Sequence, residues 1–301
     1  MLYLRLTKPQ RIVALLVLFI FGAGACSDPA PLTPERLERN DLLFDRLRAN
    51  VARTEMLQDI VEIDHARMGQ EAGSIMPPAR VLMFSNPWLE SAMIQANPLA
   101  ALDLPLRALA YESPADGSYK LIYNRFDYLA SRYRLGGAQE LRETYRDSMA
   151  VALSGIAEAD IASFENPFMQ PDGITTITSP FDFETTIERV MAAINSQDDT
   201  VNFGTVDFKT RAAGIGVSLA PATMILFGAP GPGAKAMSSA PTLGLDAFCQ
   251  KFLVWQDDSG QVFLSYNDLL ALAERQGVAK SIPLRVINFR LNSVFGDALS
   301  E

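Results

Sequence analysis

The chain contains an internal duplication, and this feature constrains the fold more than any other. Aligned with itself at an offset of 143 residues, the sequence matches without a gap over positions 64–132. Sixteen of these positions are identical, whereas composition alone gives about 4–5 by chance. The identical pairs include Asp64/Asp207, Asp103/Asp246, Tyr123/Tyr266 and Asn124/Asn267. Each copy is long enough to bury its own core, so the duplication predicts two tandem domains rather than a solenoid.

The second copy has the clearer secondary-structure pattern. Alternating and β-branched residues predict strands, and Asp182 is placed to cap a helix whose apolar residues recur at helical spacing. The predicted strands are 174–179, 201–207, 222–227, 248–255 and 261–266, and short helices are predicted at 211–216, 241–245 and 268–276. This mixture predicts an α+β fold, with a mostly antiparallel sheet and flanking helices in each copy.

The two copies differ at their ends. Thr33 and Pro34 predict the start of a helix in the first copy, where no strand precedes it, and a further helix is predicted at about 138–153. Residues 283–295 alternate in polarity and predict a C-terminal strand, which we expect to complete the first domain. The predicted units are a first repeat at 34–135, a helix and linker at 136–173, a second repeat at 174–278, and a C-terminal strand and tail at 279–301.

The N-terminus has the pattern of an export signal. Three basic residues precede a ten-residue apolar run, 12–21, which is too short to span a bilayer about 30 Å thick. Ala23-Gly24-Ala25 before Cys26 resembles the lipobox of bacterial lipoproteins, although that pattern prefers leucine at position 23. We therefore predict a signal peptide at 1–25, lipidation of Cys26, a tether at 26–33, and a place on the periplasmic side of the outer membrane. Ordinary signal cleavage and secretion to the periplasm is the alternative.

Charge and composition exclude several classes of function. The chain has 26 basic and 35 acidic residues, and removing the signal takes the net charge from -9 to -12, which disfavours nucleic acid as a partner. His65 is the single histidine and Cys26 and Cys249 are the two cysteines. A Cys/His zinc cluster is therefore excluded, and we predict neither a metal nor a cofactor. Cys249 lies in an apolar run and is expected to be buried.

Motifs in both copies resemble a known family. The first copy carries Ile63-Asp64-His65-Ala66, Phe84-Ser85-Asn86-Pro87, Met93, Leu102-Asp103-Leu104-Pro105-Leu106 and Tyr123-Asn124. The second carries Phe227-Gly228-Ala229-Pro230, Met237, Leu245-Asp246 and Tyr266-Asn267. This set is similar to domain of unknown function family 302 in tandem, which implies a small α+β domain and no established activity. The second copy departs from the pattern with Phe208 in place of His65 and Ala229 in place of Asn86.

The candidate site residues each have two interpretations. Asp64 and His65 are a candidate acid–base pair, or a helix cap followed by an exposed first-turn residue. Asn86 is a candidate ligand-holding residue or a turn former. For the candidate binding residues, roles as helix caps, turn residues or packed tyrosines are favoured over ligand binding. Paired carboxylates across a domain interface are the less favoured interpretation of Asp103 and Asp246. The candidates are Asp103, Tyr123, Asn124, Asp207, Asp246, Tyr266 and Asn267.

Two further segments are interpreted as surface features. Gly228 to Lys235 fails as a phosphate-binding loop because its lysine is displaced and two prolines remove amide donors, so a plain loop is predicted. The tyrosines and arginines between 119 and 134 are interpreted as a solvated helix face beside a hairpin.

The sequence reveals no biochemical activity. We expect a lipid-anchored envelope protein that binds a small ligand or a protein partner, in a groove between the two copies. An envelope enzyme that uses Asp64, His65 and Asn86, and a purely structural envelope protein, are the alternatives.

Overall fold

The computed structural model describes residues 30–136, 139–164 and 173–299. The predicted signal, Cys26 and part of the predicted linker lie outside the described residues. Within them, the first repeat comprises α1 (Pro34–Ala52), β1 (Gln58–Asp64), α2 (His65–Glu71), β2 (Ala79–Ser85), α3 (Pro87–Ala96), a 3₁₀ helix (Pro98–Asp103), β3 (Leu106–Glu112), β4 (Tyr119–Tyr123), α4 (Phe126–Tyr133) and α5 (Gln139–Ala152). A short 3₁₀ turn (Glu158–Asp160) and β5 (Ile161–Ala162) follow.

From its first helix onward, the second repeat has the same order of helices and strands as α1 to α5, and a strand precedes that helix. It comprises β6 (Ile174–Thr178), α6 (Phe183–Asn195), β7 (Val201–Asp207), α7 (Phe208–Ala213), β8 (Ala222–Gly228), α8 (Pro230–Met237), a 3₁₀ helix (Pro241–Leu245), β9 (Gln250–Gln256), β10 (Val262–Asn267), α9 (Leu269–Arg275) and α10 (Ile282–Ala298). The offset of 143 carries β1 onto β7 and β2 onto β8 residue for residue. The predicted duplication and the α+β class are confirmed.

In the part of the chain that the structure describes, each repeat forms one five-stranded sheet. The strand orders are β1-β2-β3-β4-β5 and β6-β10-β9-β8-β7. All neighbouring strands are antiparallel except β5, which runs parallel to β4. The edge position that β6 takes in the second sheet is thus taken in the first by β5, which comes from the predicted linker.

The C-terminal prediction is wrong. Residues 282–298 form the helix α10, which packs on α6, α8 and α9 of the second repeat and completes no sheet. Leu284, Ile287 and Leu291 are buried at helical spacing, whereas other apolar residues on the same helix are exposed. Apolar residues on two faces of a helix obscure its period, and this produced the apparent alternation.

The two helix starts predicted from capping residues are confirmed. Thr33 accepts a hydrogen bond from the Arg36 amide at the start of α1, and Asp182 does the same for Thr185 at the start of α6. The predicted helix at 138–153 is α5, and α7 begins three residues earlier than predicted. The prediction of a plain loop at 228–235 is wrong because Pro230 starts α8, whose small residues pack closely on α2.

The repeats pack together because a 3₁₀ helix from each repeat lies on the sheet of the other. The 3₁₀ helix Pro241–Leu245 lies on β2, β3 and β4 of the first sheet, and Pro98–Asp103 lies on β8, β9 and β10 of the second. Since α1 covers the same strands of the first sheet, that sheet is covered on both faces. β2 and β3 are accordingly buried along almost their whole length.

Candidate functional site

A buried polar network joins the two repeats. Asp246 accepts hydrogen bonds from Arg107 (3.0 and 2.7 Å), Asn124 (2.9 Å) and Arg275 (3.1 Å). Asp103 accepts from Arg107, Arg132 (2.8 Å) and Tyr133 (2.7 Å). Arg132 also donates to Asn267 of the second repeat at 2.6 Å. The charged side chains of this network are at most 1% exposed.

The electrostatics of this network favour a fixed, ionised state. Burial opposes ionisation of Asp103, but Arg132 and Arg107 overcome it and hold its pKa well below the usual range. Burial likewise opposes ionisation of Asp246, and Arg107 leads the groups that lower its pKa. The network fills the expected groove between the repeats with two buried carboxylates held among three buried arginines, so we assign it to holding the repeats together.

Four of the candidate binding residues have positions that sequence reasoning did not favour. Asp103 and Asp246 lie across the repeat interface rather than in caps or turns. Asn124 and Asn267 do not cap α4 and α9, because the N-cap residues are Arg125 and Asp268. Both asparagines instead reach across the interface, where an amide can pair with a buried charge.

The two tyrosine candidates have different surroundings. Tyr266 is buried and donates to Asn292 of α10 at 2.9 Å. Tyr123 is half-buried and lines an open cleft beside α5. The duplication therefore preserves the residue type but not its surroundings, since Tyr123 lines a cleft and Tyr266 is buried.

The aspartates before the second helix of each repeat are caps. Asp64 accepts from the Arg67 amide at 2.9 Å, and Asp207 accepts from the Thr210 amide at 3.0 Å. Asp64 also pairs with the Arg67 guanidinium. The cap interpretation of these residues is confirmed.

The prediction that His65 is an exposed first-turn residue is wrong. His65 is 6% exposed, and its Nε2 lies 3.0 Å from the carbonyl oxygen of Gly244 in the other repeat. Because a carbonyl only accepts, this contact requires the proton on Nε2. Burial lowers the pKa of His65 to about 4, against the opposing effect of the Gly244 carbonyl. His65 is thus a neutral interface residue at pH 7.

Asn86 lies at a different site from His65. Its Oδ1 caps α3 by accepting from the Leu89 amide at 3.3 Å, and its Nδ2 donates to Ser148 at 2.9 Å. Asn86 borders one cleft, whereas His65 borders a small pocket against α8. The structure therefore does not bring the proposed acid–base set together.

An open cleft in the first repeat is the main candidate site. It has a volume of about 590 Å³ and lies between the start of α3, the segment before β1, and α5. Trp88 stands at this cleft with 61% of its surface exposed. The other lining residues are Glu55, Met56, Gln58, Asn86, Pro87, Thr144, Asp147 and Ile215. We call this surface the Trp88 cleft.

A buried ion pair lies beside the Trp88 cleft. Arg211 of α7 donates to Gln58 of the cleft at 3.1 Å and to Ser85, and its Nε lies 3.5 Å from Glu90 Oε2. Glu90 is 2% exposed, and neither of its carboxyl oxygens has a hydrogen-bond partner among the described residues. Burial raises the pKa of Glu90 to about 7, with Ser85 and Arg211 opposing the shift. This group can therefore take up or release a proton near neutrality.

The residues equivalent to Glu90 and Arg211 in the duplication are uncharged. The offset of 143 puts Gly233 at the position of Glu90 and relates Met68 to Arg211. Both line the small pocket near His65, whose space of about 20 Å³ admits about one water molecule. The Glu90–Arg211 ion pair therefore has no counterpart at the residues that the duplication makes equivalent, Gly233 and Met68.

Sequence reasoning missed Glu90 and Arg211. The signal was present in the duplication: each is a charged residue whose counterpart is uncharged. Cys249, by contrast, is buried as expected, and burial raises the pKa of its thiol to about 11.

The fold and these interfaces define a class of protein, namely two α+β repeats fused into one unit by a buried ion network. The profile of the family described as "Domain of unknown function DUF302" matches residues 41–152 and 175–290. The chain belongs to this family and carries its domain twice, as the motifs predicted.

Two curated proteins and one solved structure are similar to the chain. "Fluoride-specific ion channel FluC 1" of Brucella suis biovar 1 (strain 1330) is 38% identical over 109 residues, covering 36% of this chain and 42% of that protein. The protein of the same name from Brucella abortus biovar 1 (strain 9-941) is 38% identical over 109 residues, covering 36% and 40%. The chain thus spans about two fifths of these relatives' length. The "Crystal structure of uncharacterized conserved protein DUF302 from Bacillus stearothermophilus" aligns at 15% identity and a TM-score of 0.36, over 42% of this chain and 95% of that one.

One negative finding concerns the membrane. Among residues 30–136, 139–164 and 173–299, no helix is both long and apolar enough to cross a bilayer.

Proposed function

We propose that this protein is a lipid-anchored envelope protein that binds a small ligand in the Trp88 cleft. The main support for this proposal is the exposed indole of Trp88, which lies at an open cleft of about 590 Å³. Exposed aromatic faces with a few convergent polar groups are typical of ligand sites. The exposed side chain of Gln58 supplies such a group at the cleft, and Arg211, which pairs with Glu90, donates to Gln58 Oε1.

Thermal-shift screening of the mature protein against envelope metabolites tests the binding proposal. A ligand that raises the melting temperature of the wild type should have no such effect on Trp88→Ala. Phe289→Ala is the matched control, because Phe289 is a similarly exposed aromatic residue on α10 (73% against 61% for Trp88), outside the cleft. Unchanged binding by Trp88→Ala contradicts the proposal.

The proposed location in the cell envelope is tested separately from ligand binding. It is supported by the basic and apolar segments of 1–25 and by the small residues before Cys26. Two or more acyl chains give stable membrane anchoring. Cys26→Ala should move the protein from the membrane fraction to the soluble fraction, and a variant that stays membrane-bound refutes lipidation.

The acid–base enzyme alternative has less support. His65 is buried and neutral at the repeat interface, and Asn86 lies at another site. If the protein is an enzyme of that kind, His65→Ala abolishes its phenotype while leaving the fold intact. Intact function in a folded His65→Ala variant ends this alternative.

A second candidate function is association with a membrane channel. It is suggested by the relatives named as fluoride-specific ion channels and by an exposed apolar stripe on α10, Ile282, Val286 and Phe289. The offset relates these residues to Gln139, Glu143 and Arg146 of α5, so the stripe is specific to the second repeat. Cells that carry Phe289→Glu should then grow as poorly in fluoride as cells lacking the protein. Leu42→Glu, at another exposed apolar residue, is the control that should grow normally.

A further inference from the structure

A second cleft lies on the opposite side of α5 and has the opposite charge character. It has a volume of about 490 Å³ and is lined by three arginines, Arg125, Arg142 and Arg146, and by Tyr123 and Phe126. All three arginines are exposed. The surface is unusual in a chain with nine more acidic than basic residues. We call it the arginine cleft.

The arginines converge because of local structure. Arg142 and Arg146 are one helical turn apart and therefore project from the same face of α5. Arg125 is the N-cap residue of α4, so it lines the wall of the cleft that faces α5. The Arg142 guanidinium also lies 4.9 Å from the centre of the Phe126 ring, which holds it against an apolar floor.

The second repeat shows which group occupies the position equivalent to Arg125. Asp268 is the counterpart of Arg125, and its carboxylate accepts from the amides of Leu270 (2.8 Å) and Ala271 (2.9 Å) at the start of α9. In the first repeat, Arg125 makes no side-chain cap for α4. A helix start and a carboxylate are complementary, and here the built-in carboxylate has been exchanged for a cation.

Neighbouring carboxylates do not cancel this charge. Arg142 pairs with Asp127 at 2.5 Å and Arg146 with Asp147 at 2.9 Å, and both pairs are solvent-exposed. Exposed pairs of this kind are weak and exchange readily. Three cations against two carboxylates leave the cleft positive.

We infer that the arginine cleft binds the carboxylate of a small aromatic acid, which takes the place that Asp268 occupies in the second repeat. The carboxylate lies between Arg125 and the α5 arginines, and the ring of the ligand packs on Tyr123 and Met149. This site is separate from the Trp88 cleft and does not depend on it.

Calorimetric titration of the mature protein with benzoate tests the inference, with benzamide as the neutral analogue and inorganic phosphate as the alternative anion. Arg125→Asp and Arg142→Ala should each weaken benzoate binding about 10-fold or more, as expected for a lost charge-assisted hydrogen bond. Arg285→Ala is the matched control, because Arg285 is the exposed counterpart of Arg142 on α10. It should bind benzoate like the wild type.

Four results overturn the inference. They are the absence of benzoate binding at millimolar concentration, equal affinity for benzamide, tighter binding of phosphate than of benzoate, and unchanged benzoate affinity in folded Arg125→Asp and Arg142→Ala. Circular dichroism and the urea midpoint establish folding of each variant. Trp88→Ala should leave benzoate affinity unchanged, so a failure here is distinguishable from a failure of the proposed function.

Discussion

The buried network predicts a large and specific cost for losing one carboxylate. In Asp246→Asn, Arg107 and Arg275 lose the negative charge that both contact, while their side chains stay at most 1% exposed. Removing one partner of a buried ion pair costs about 3–5 kcal/mol, because the remaining charge is left in a low-dielectric interior. That is a large part of the roughly 5–15 kcal/mol by which a typical protein is stable.

Equilibrium unfolding in urea, followed by circular dichroism and tryptophan fluorescence, measures this cost. The matched control is Asp199→Asn, which removes the exposed pair with Arg290 (2.6 Å) and should cost at most about 1 kcal/mol. Because Asp246 bonds residues of both repeats, its loss should also separate the unfolding of the two repeats into distinguishable transitions. A cost for Asp246→Asn no larger than that of the control refutes the assignment of the network to interface stability.

Two further predictions concern the same interface. Gly244→Ala should destabilise the protein by about 1–3 kcal/mol in urea unfolding, because an added Cβ would lie 2.7 Å from His65 Cδ2; a cost that persists unchanged in the background of His65→Ala contradicts this steric account. Glu90→Gln should flatten the pH dependence of unfolding free energy. The folded-state pKa of Glu90 is raised to about 7 from 4.5, so its contribution lowers stability as pH rises from about 4.5 to 7. Glu71→Gln, at an exposed position, is the control and should keep the pH dependence of the wild type. A wild-type pH dependence in Glu90→Gln as well would show that the Glu90 carboxyl does not cause it.

The duplication made most of the architecture predictable. Identities at a fixed offset do not depend on secondary-structure propensity, so two α+β repeats followed from the sequence directly. The same offset applied to α5, 139–152, falls on 282–295 and indicates the helix α10. The prediction of a C-terminal strand failed because it relied on local alternation, whereas the buried residues Leu284, Ile287 and Leu291 follow the helical period.

The candidate site was less predictable than the fold, because the residues that pair in it are far apart in the sequence. Asp246 lies 139 positions from Arg107 and 122 from Asn124, and His65 lies 179 from Gly244. No local pattern encodes such pairings. Asparagine before a helix is a sound local prediction of a cap, yet Asn124 and Asn267 have their amides committed to the opposite repeat. The tertiary demand for buried partners outweighed the local preference.

Comparison of the two repeats suggests that the first gives up local stability at the arginine cleft. Asp268, at φ -73° and ψ 116°, caps α9 with two hydrogen bonds. Arg125 is also extended, at φ -75° and ψ 153°, but its side chain makes no cap bond to α4. Arg125→Asp places a capping carboxylate at this extended N-cap position. It should stabilise the protein by about 1 kcal/mol and raise its melting temperature by roughly 2–4 °C.

Calorimetry of Arg125→Asp without ligand checks this, with Asp268→Ala as the reciprocal variant, which should lose about 1 kcal/mol. Stability gained at the position where carboxylate binding is lost would mean that Arg125 serves the cleft rather than the fold. A melting temperature of Arg125→Asp equal to or below that of the wild type, together with the expected loss in Asp268→Ala, would contradict this. The two helix starts would then not be equivalent, and the second repeat could not indicate what occupies the first.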